Sequence, residues 1–287
     1  MKQQRLATWL GILVGTACAV LLAGRAWASE PLTQEFHKTY SLSADGRVSL
    51  ENINGAVTIT GWDRDEVQVD AIKKARRQDR LDEAKIVVES SSNSISIRTE
   101  YPQHDHNFNW GDENNPASVD YTLHVPRHAR LDQVDLINGS LEIHEVSGDV
   151  HASSVNGRVL AKDLAGRADL STVNGQTEAE FRQLPKSHIH ASSVNGSVRV
   201  TIPSDANADI HASTVSGGIQ TDFGFNVHKE SFVGHSLEGR LGSGGTDIEL
   251  SDVNGGIQLL RAHDGKTASP VTGTNHKHKD DDDDDTI

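Results

Sequence analysis

Residues 153–157 read Ser-Ser-Val-Asn-Gly, and the apolar residue, asparagine and glycine of this stretch return along the chain. The recurring triplets are Ile53-Asn54-Gly55, Ile137-Asn138-Gly139, Val155-Asn156-Gly157, Val173-Asn174-Gly175, Val194-Asn195-Gly196 and Val253-Asn254-Gly255, with Val215-Ser216-Gly217 as a variant. From Gly139 to Gly175 a glycine falls every nine residues, and the next two steps, to Gly196 and Gly217, are each 21. A fixed period of this size predicts a repeat architecture.

Apolar residues flank each repeat glycine two positions before and two positions after, as in Val155 and Val159. This period-two pattern predicts a strand, a turn and a second strand, with both apolar columns in the core. The turn is assigned to Asn-Gly because both residues tolerate the left-handed backbone conformation. The fold class we expect is therefore an all-β β-solenoid of 18–21-residue coils with Asn-Gly turns.

Four segments follow from the pattern. Residues 1–28 read as a signal peptide, 29–130 as an N-terminal β region, 131–262 as the solenoid repeats and 263–287 as a disordered His/Asp-rich tail. The β region contains a short helix within Lys73–Lys85 and a long polar loop over Tyr101–Ser118. We expect the helix and loop to form an insertion in the solenoid or a cap on it.

The first residues predict export. A basic start is followed by the apolar run Leu6–Gly24 and the small-x-small sequence Ala26-Trp27-Ala28, as in secretory signal peptides. Cys18, the single cysteine, lies in this run, so the mature chain has no disulfide. We expect an exported protein of the periplasm or cell surface, and not an integral membrane protein after cleavage.

The net charge of −14 excludes one class of partner. Binding to nucleic acid depends on neutralising phosphates with lysine and arginine, and no basic stripe offsets the acidic residues here. No nucleic-acid partner is therefore expected.

Several stretches together resemble the bacterial "putative adhesin" domain family. They are the opening pattern Leu50–Asp63, the strand Val119–Pro126, the serial Val-Asn-Gly repeats and the ending Glu238–Gly245, within residues of about 36 to 260. The resemblance implies an exported β-solenoid whose biochemical role is largely unknown. It brings no catalytic residues to this chain.

One polar column is interpreted as structural. The residue before each repeat glycine is an asparagine in most coils, and stacked asparagine side chains can hydrogen-bond along a solenoid. The members of this turn ladder are Asn138, Asn156, Asn174, Asn195 and Asn254.

A second polar column, six residues before the glycine, is the sharpest functional signal. It contains Gln133, His151, Asp169, His190, His211 and Glu249. If the coils stack in register, the binding candidates His151, Asp169, His190 and His211 share one outer line. They are either an unliganded, solvated polar face or residues that bind a transition metal in pairs. Phe108 and Trp110, in the long polar loop, are further binding candidates.

The function expected from the sequence is a non-enzymatic exported scaffold with an adhesin-like or envelope-associated binding role. Its partner would be an envelope or cell-surface protein or glycan, with no cofactor, no catalytic residue and no assigned metal. One alternative is a glycan-active β-helix enzyme, which needs clustered carboxylates on one groove. A second alternative is a metal-binding protein that uses His151, His190 and His211.

Overall fold

The computed structural model of the chain describes residues 31–102, 116–229 and 234–272. Its strands are β1 (Leu32–Ser41), β2 (Arg47–Asn54), β3 (Val57–Trp62), β4 (Glu66–Ala75), β5 (Lys85–Ser90), β6 (Ser94–Glu100), β7 (Ser118–Pro126), β8 (Arg130–Asn138), β9 (Leu141–His144), β10 (Val150–Asn156), β11 (Val159–Leu164), β12 (Ala168–Phe181), β13 (His188–Ile202), β14 (Ala208–Ser216), β15 (Ile219–Thr221), β16 (His228–Lys229), β17 (His235–Leu241), β18 (Thr246–Arg261) and β19 (Val271–Thr272). The helix is α1 (Gln78–Glu83). The prediction of an all-β protein is confirmed.

Each repeat coil has two arms that meet at its Asn-Gly pair. The first arms, before the glycine, pair in parallel through β2, β8, β10, β12 and β13. The second arms, after the glycine, pair in parallel through β3, β9, β11, β12 and β13. Equivalent residues lie opposite one another, so Asn156 faces Asn174 and Asn174 faces Asn195. The result is a solenoid-like stack with the core between the arms.

The last coil leaves chain order. Strand β18 pairs in parallel with β13 on one side and with β14 on the other, so it lies between two strands that precede it in the sequence. Asn254 therefore follows Asn195 in space, and Ser216 comes after Asn254. The 21-residue steps to Gly196 and Gly217 therefore do not place their coils side by side, because β18 takes the position beside β13.

Antiparallel strands border the parallel stack. Strands β4 and β1 extend the second arms beyond β7, and β5 pairs with β6 on the first arms. Strand β17 pairs antiparallel with β14, and β16 and β19 pair with β17. Residues 263–272, expected in the disordered tail, thus include a strand of the sheet, while 273–287 lie outside the described residues. Among the residues described, no helix is long and apolar enough to cross a membrane.

The helix is shorter than the sequence predicts. It covers six residues, Gln78–Glu83, because Lys73 and Lys74 belong to β4 and pair with both β1 and β7. Leu81 is its buried residue and fixes it to the core.

The predicted core is correct after each Asn-Gly pair and wrong before it, whereas both predicted residues around Gly148, Val146 and Val150, are buried. Val159, Val198 and Ile257, two residues after their glycines, are fully buried. Val155 and its equivalents two residues before the glycine are exposed, and the buried neighbour is Ser154. The bend at Asn-Gly explains the difference. Inward-facing residues of a straight strand are two positions apart, whereas the inward residues on either side of the bend, such as Ser154 and Val159, are five apart.

Close packing between coils requires the repeat glycines, and Gly55 also has a φ of +123° that favours glycine. Strands β12, β13 and β18 run through their Asn-Gly pairs, and no asparagine has a positive φ in the described residues. A Cβ atom on Gly157 would lie 2.0 Å from the Gly139 carbonyl oxygen, and one on Gly196 would lie 1.6 Å from that of Gly175. Only glycine allows neighbouring coils to approach this closely at the Asn-Gly bend, which we call the corner.

Candidate binding face

The outer face of the first arms carries three rows of side chains that run across the strands. Rows arise because alternate residues of a strand point outward and the parallel strands are in register. The acid–histidine row contains His151, Asp169, His190, Glu249 and His211; the serine row contains Ser153, Ser171, Ser192, Ser251 and Ser213. The apolar stripe contains Ile53, Ile137, Val155, Val173, Val194, Val253 and Val215.

The apolar stripe is the unusual feature of this face. Its seven β-branched side chains are between 37% and 52% exposed. With strands about 4.8 Å apart, the stripe is about 29 Å long. Singly exposed apolar residues are ordinary on protein surfaces, whereas a continuous apolar patch marks an interaction site more often.

The acid–histidine row is arranged differently from the prediction. His151 Nδ1 lies 3.1 Å from Asp169 Oδ2, and Asp169 is opposite His190 as expected. The next residue is Glu249 and not His211, because β18 separates β13 from β14. The three predicted histidines therefore do not meet at one point.

The asparagine ladder is continuous through six coils. Asn138 Nδ2 donates to Asn54 Oδ1 at 3.0 Å, Asn156 to Asn138 at 2.8 Å and Asn174 to Asn156 at 2.8 Å. Asn195 donates to Asn174 at 3.0 Å, and Asn254 donates to Asn195 at 2.9 Å. All side-chain amides donate in the same direction, which is the arrangement that a repeated residue in register allows.

A buried row of hydroxyl groups supports the corner from inside. Thr172 Oγ1 donates to the Gly157 carbonyl at 2.8 Å, Ser193 Oγ to that of Gly175 at 3.0 Å and Thr214 Oγ1 to that of Gly255 at 3.0 Å. Ser154 Oγ makes the equivalent bond to the Gly139 carbonyl at 3.1 Å. These four hydroxyl-bearing side chains are buried, so their hydrogen bonds are shielded from water.

Asp252 occupies this row in β18. Its side chain is buried, and burial raises the pKa of its carboxyl group to about 6, a rise that the backbone amides of Val253 and Asn254 oppose. Neither carboxylate oxygen makes a well-formed hydrogen bond within the described residues. A carboxyl group has thus replaced a hydroxyl group in the one coil that is out of chain order.

Two predicted binding residues, Phe108 and Trp110, lie outside the described residues. Sequence reasoning missed the exposed stripe, since hydropathy favours valine over serine for the interior. It also missed that Asp247 and Glu249 lie beside His188 and His190, because this contact depends on the position of β18.

Comparison with known proteins finds one similar family. Residues 130–260 match the model of the Toastrack DUF4097 family. The resemblance to the "putative adhesin" proteins that the sequence predicts is confirmed, and Toastrack is a solenoid-like fold. No curated protein matches the sequence.

Three solved bacterial structures are similar to this chain. A "putative cell adhesion protein" from Clostridium sporogenes is 12% identical, with 80% of this chain and 100% of that chain covered and a TM-score of 0.49. A "putative adhesin" from Bacteroides fragilis is 12% identical, with coverage of 80% and 97% and a TM-score of 0.33. A "Putative lipid binding protein" from Parabacteroides distasonis is 12% identical, with coverage of 82% and 98% and a TM-score of 0.32.

Proposed function

We propose that this protein is an exported, non-enzymatic β-solenoid scaffold that binds a protein of the cell envelope or cell surface. The observation that supports this function best is the apolar stripe on the outer face of the first arms. Export is inferred from the signal-peptide pattern at residues 1–28.

The stripe is suited to a partner with a straight apolar edge. Its side chains project from a continuous parallel sheet, so their spacing is fixed before binding and little conformational entropy is lost. The serine row beside it offers hydroxyl groups that donate or accept hydrogen bonds along the same line. Apolar contact at the centre with polar groups beside it is the usual composition of a protein interface.

A protein partner is favoured over a glycan or a second copy. Glycan sites use aromatic rings that stack on sugars, and the stripe consists of isoleucine and valine. The net charge of −14 opposes packing of two copies of this chain. The proposed partner is therefore a different protein with an exposed apolar edge.

The glycan-active enzyme is less well supported by the carboxyl groups. A glycosidase needs a general acid of raised pKa in an open groove that faces a second carboxylate. Asp252 has the raised pKa among the described carboxyl groups whose shift is resolved, and it is buried in the core. We therefore favour a scaffold over an enzyme.

The test is binding of the purified protein to envelopes isolated from the cells that produce it, measured by co-sedimentation. We expect the double variant Val155→Lys, Val173→Lys to bind at least tenfold more weakly, because two charges would be placed in an apolar contact. Ile72→Lys is the matched control, since Ile72 is an isoleucine of β4 that is 41% exposed away from the stripe. Treatment of the envelopes with protease should remove binding.

Several outcomes would overturn the proposal. Equal binding of the double variant and the wild type would show that the apolar stripe does not bind the envelope. Binding that survives protease but not periodate would indicate a glycan. Concentration-dependent dimerisation that the double variant abolishes would show that a second copy covers the stripe.

A further inference from the structure

Two histidines and two carboxylates converge on the outer face where β13 meets β18. His188 and His190 are two residues apart on β13 and point outward together, and β18 places Asp247 opposite His188 and Glu249 opposite His190. The two imidazole rings are stacked, with centroids 6.2 Å apart and an angle of 11° between their planes. This cluster spans 59 residues of sequence and forms only because β18 is inserted beside β13.

The donor atoms are close enough for one cation to bind. His188 Nε2 lies 3.8 Å from Glu249 Oε2, and His190 Nδ1 lies 3.7 Å from the same oxygen. One ligand atom from each of these three residues falls within 4.8 Å of the others. Zinc–ligand bonds of about 2.0–2.1 Å in a tetrahedron place neighbouring donors about 3.3 Å apart, so modest side-chain rotations would complete the geometry.

Asp247 orients the imidazole ring of His188. His188 Nδ1 lies 3.1 Å from Asp247 Oδ2, and His188 Nε2 on the other side of the ring faces Glu249 Oε2 at 3.8 Å. A carboxylate behind a ligating histidine is the usual second partner of protein zinc sites. Asp247 thus acts as a positioning residue.

We propose that His188 Nε2, His190 Nδ1 and Glu249 Oε2 bind a Zn²⁺ ion, with Asp247 orienting His188. Two imidazoles and one carboxylate select zinc or a neighbouring transition ion over calcium and magnesium, which prefer sites made only of oxygen ligands. Three protein ligands leave a fourth position for water or for a ligand from a bound partner. The ion would also tie the out-of-order strand β18 to β13.

The site differs from the one that the sequence alone predicts. His190 is shared by both, but His188 and Glu249 replace His151 and His211 as its companions. His151 is instead paired with Asp169, and the described residues around it include no second histidine within ligand distance. His151 therefore provides a matched control: it is an outward histidine beside a carboxylate in the same row.

The test is calorimetric titration of zinc chloride into the chelator-treated protein at pH 7.5. We expect one saturable site, and a rise in Tm of about 5 °C when zinc exceeds its Kd a hundredfold. His190→Ala and Glu249→Gln should each weaken zinc binding by at least tenfold and, at the same zinc concentration, reduce the rise in Tm to about half or less. Asp247→Asn should weaken it by about tenfold, which is a typical loss for the residue behind a ligand.

Two controls separate this site from other histidines. His151→Ala should bind zinc as the wild type does. The double variant His276→Ala, His278→Ala, in the C-terminal segment, should also retain the site and the rise in Tm. Because the three ligands lie on the outer face and are not part of the core, circular dichroism of every variant should match the wild type.

The proposal fails if the wild type shows no saturable site with a Kd below about 100 μM. It also fails if His190→Ala and Glu249→Gln bind zinc as tightly as the wild type. Loss of binding in the His276→Ala, His278→Ala variant would assign the zinc to the C-terminal segment and would likewise overturn it. Binding to the envelope through the apolar stripe is measured separately and does not decide this result.

Discussion

The coils up to Asn195 and the coils beyond it use the same corner in two different ways. In the first group, β8, β10, β12 and β13 follow one another in space as they do in sequence. In the second group, β18 is placed between β13 and β14 after an excursion through β17. Both groups keep the glycine contact, and the asparagine ladder continues from Asn195 to Asn254 in the second group. The buried polar row is also present in both groups, although β8 carries Leu136 at that position. Features that are local to the corner are thus independent of chain order, whereas the contacts between coils are not.

The largest loss of stability is expected when a side chain is added to a corner glycine. Gly157→Ala in the chain-order coils and Gly255→Ala in β18 should each destabilise the protein by about 3 kcal/mol or more, because the new Cβ would meet a backbone carbonyl oxygen at 2.0 Å and 1.6 Å respectively. Thermal and urea unfolding would measure this. Gly218→Ala is the control, since a Cβ there meets nothing within 4 Å. A small effect at only one of the two corners would show that the two groups are not built alike.

Asp252 sharpens the comparison, because the chain-order strands β10, β12 and β13 carry a hydroxyl group at its position. Its folded pKa of about 6 lies above the ordinary value of 3.8, so the protonated form is favoured by folding. Its contribution to stability is complete below about pH 4 and is lost as the pH rises through 6, with a shift of this size worth about 3 kcal/mol. Asp252→Ser should therefore stabilise the protein by about 2 kcal/mol at pH 7.5.

The reciprocal variant is Thr172→Asp, which places a carboxyl group in the chain-order coils. It should lower stability at pH 7.5 and have a smaller effect at pH 4.5, where the carboxyl group is protonated. Unfolding in urea at both pH values measures the difference. If Asp252→Ser leaves both the stability and its pH dependence unchanged, the carboxyl group of Asp252 is adequately solvated and the comparison is wrong on this point.

Substitutions in the asparagine ladder should give the smallest change in the free energy of unfolding. Asn174 makes two ladder bonds, one to Asn156 and one from Asn195, so Asn174→Ala should lower the free energy of unfolding by about 1 kcal/mol. Asn254 is the last asparagine of the ladder and donates to Asn195, so Asn254→Ala should cost less. Melting of both variants measures the difference. Loss of envelope binding by Asn174→Ala with an unchanged Tm would show that the ladder is a binding surface.

The sequence predicts the features that recur at each Asn-Gly corner. It does not predict the order of the coils, which depends on strand pairing between distant residues. The nine-residue spacing of the glycines is enough to predict parallel stacking of Asn138, Asn156 and Asn174. The position of Asn254 after Asn195 depends on contacts across 59 residues, for which the triplet contains no signal. The same holds for the proposed zinc site. The sequence predicts His190 as a candidate ligand, but it does not predict that Glu249 lies beside His190, because this contact depends on the position of β18.

The apolar stripe was misassigned for a chemical reason. Valine is more apolar than serine, so hydropathy predicts that Val155 lies in the core. In the structure Ser154 is the buried residue, and its hydroxyl group donates to the Gly139 carbonyl. The corner provides a buried carbonyl oxygen that needs a donor, and this need outweighs hydropathy at that position. The exposed valines are therefore available for binding.

The position of β18 is tested most directly by disulfide formation in a Cys18→Ser background. Ser192 is opposite Ser251, and Ser251 is opposite Ser213, so Ser192 and Ser213 are two strands apart. Adjacent strands, about 4.8 Å apart, are within disulfide range, and a separation of about 10 Å is not. Ser153→Cys, Ser171→Cys should cross-link as a positive control, since these residues are opposite each other in β10 and β12. We predict that Ser192→Cys, Ser251→Cys forms a disulfide on mild oxidation and that Ser192→Cys, Ser213→Cys does not; the reverse result would place the coils in chain order and contradict this account.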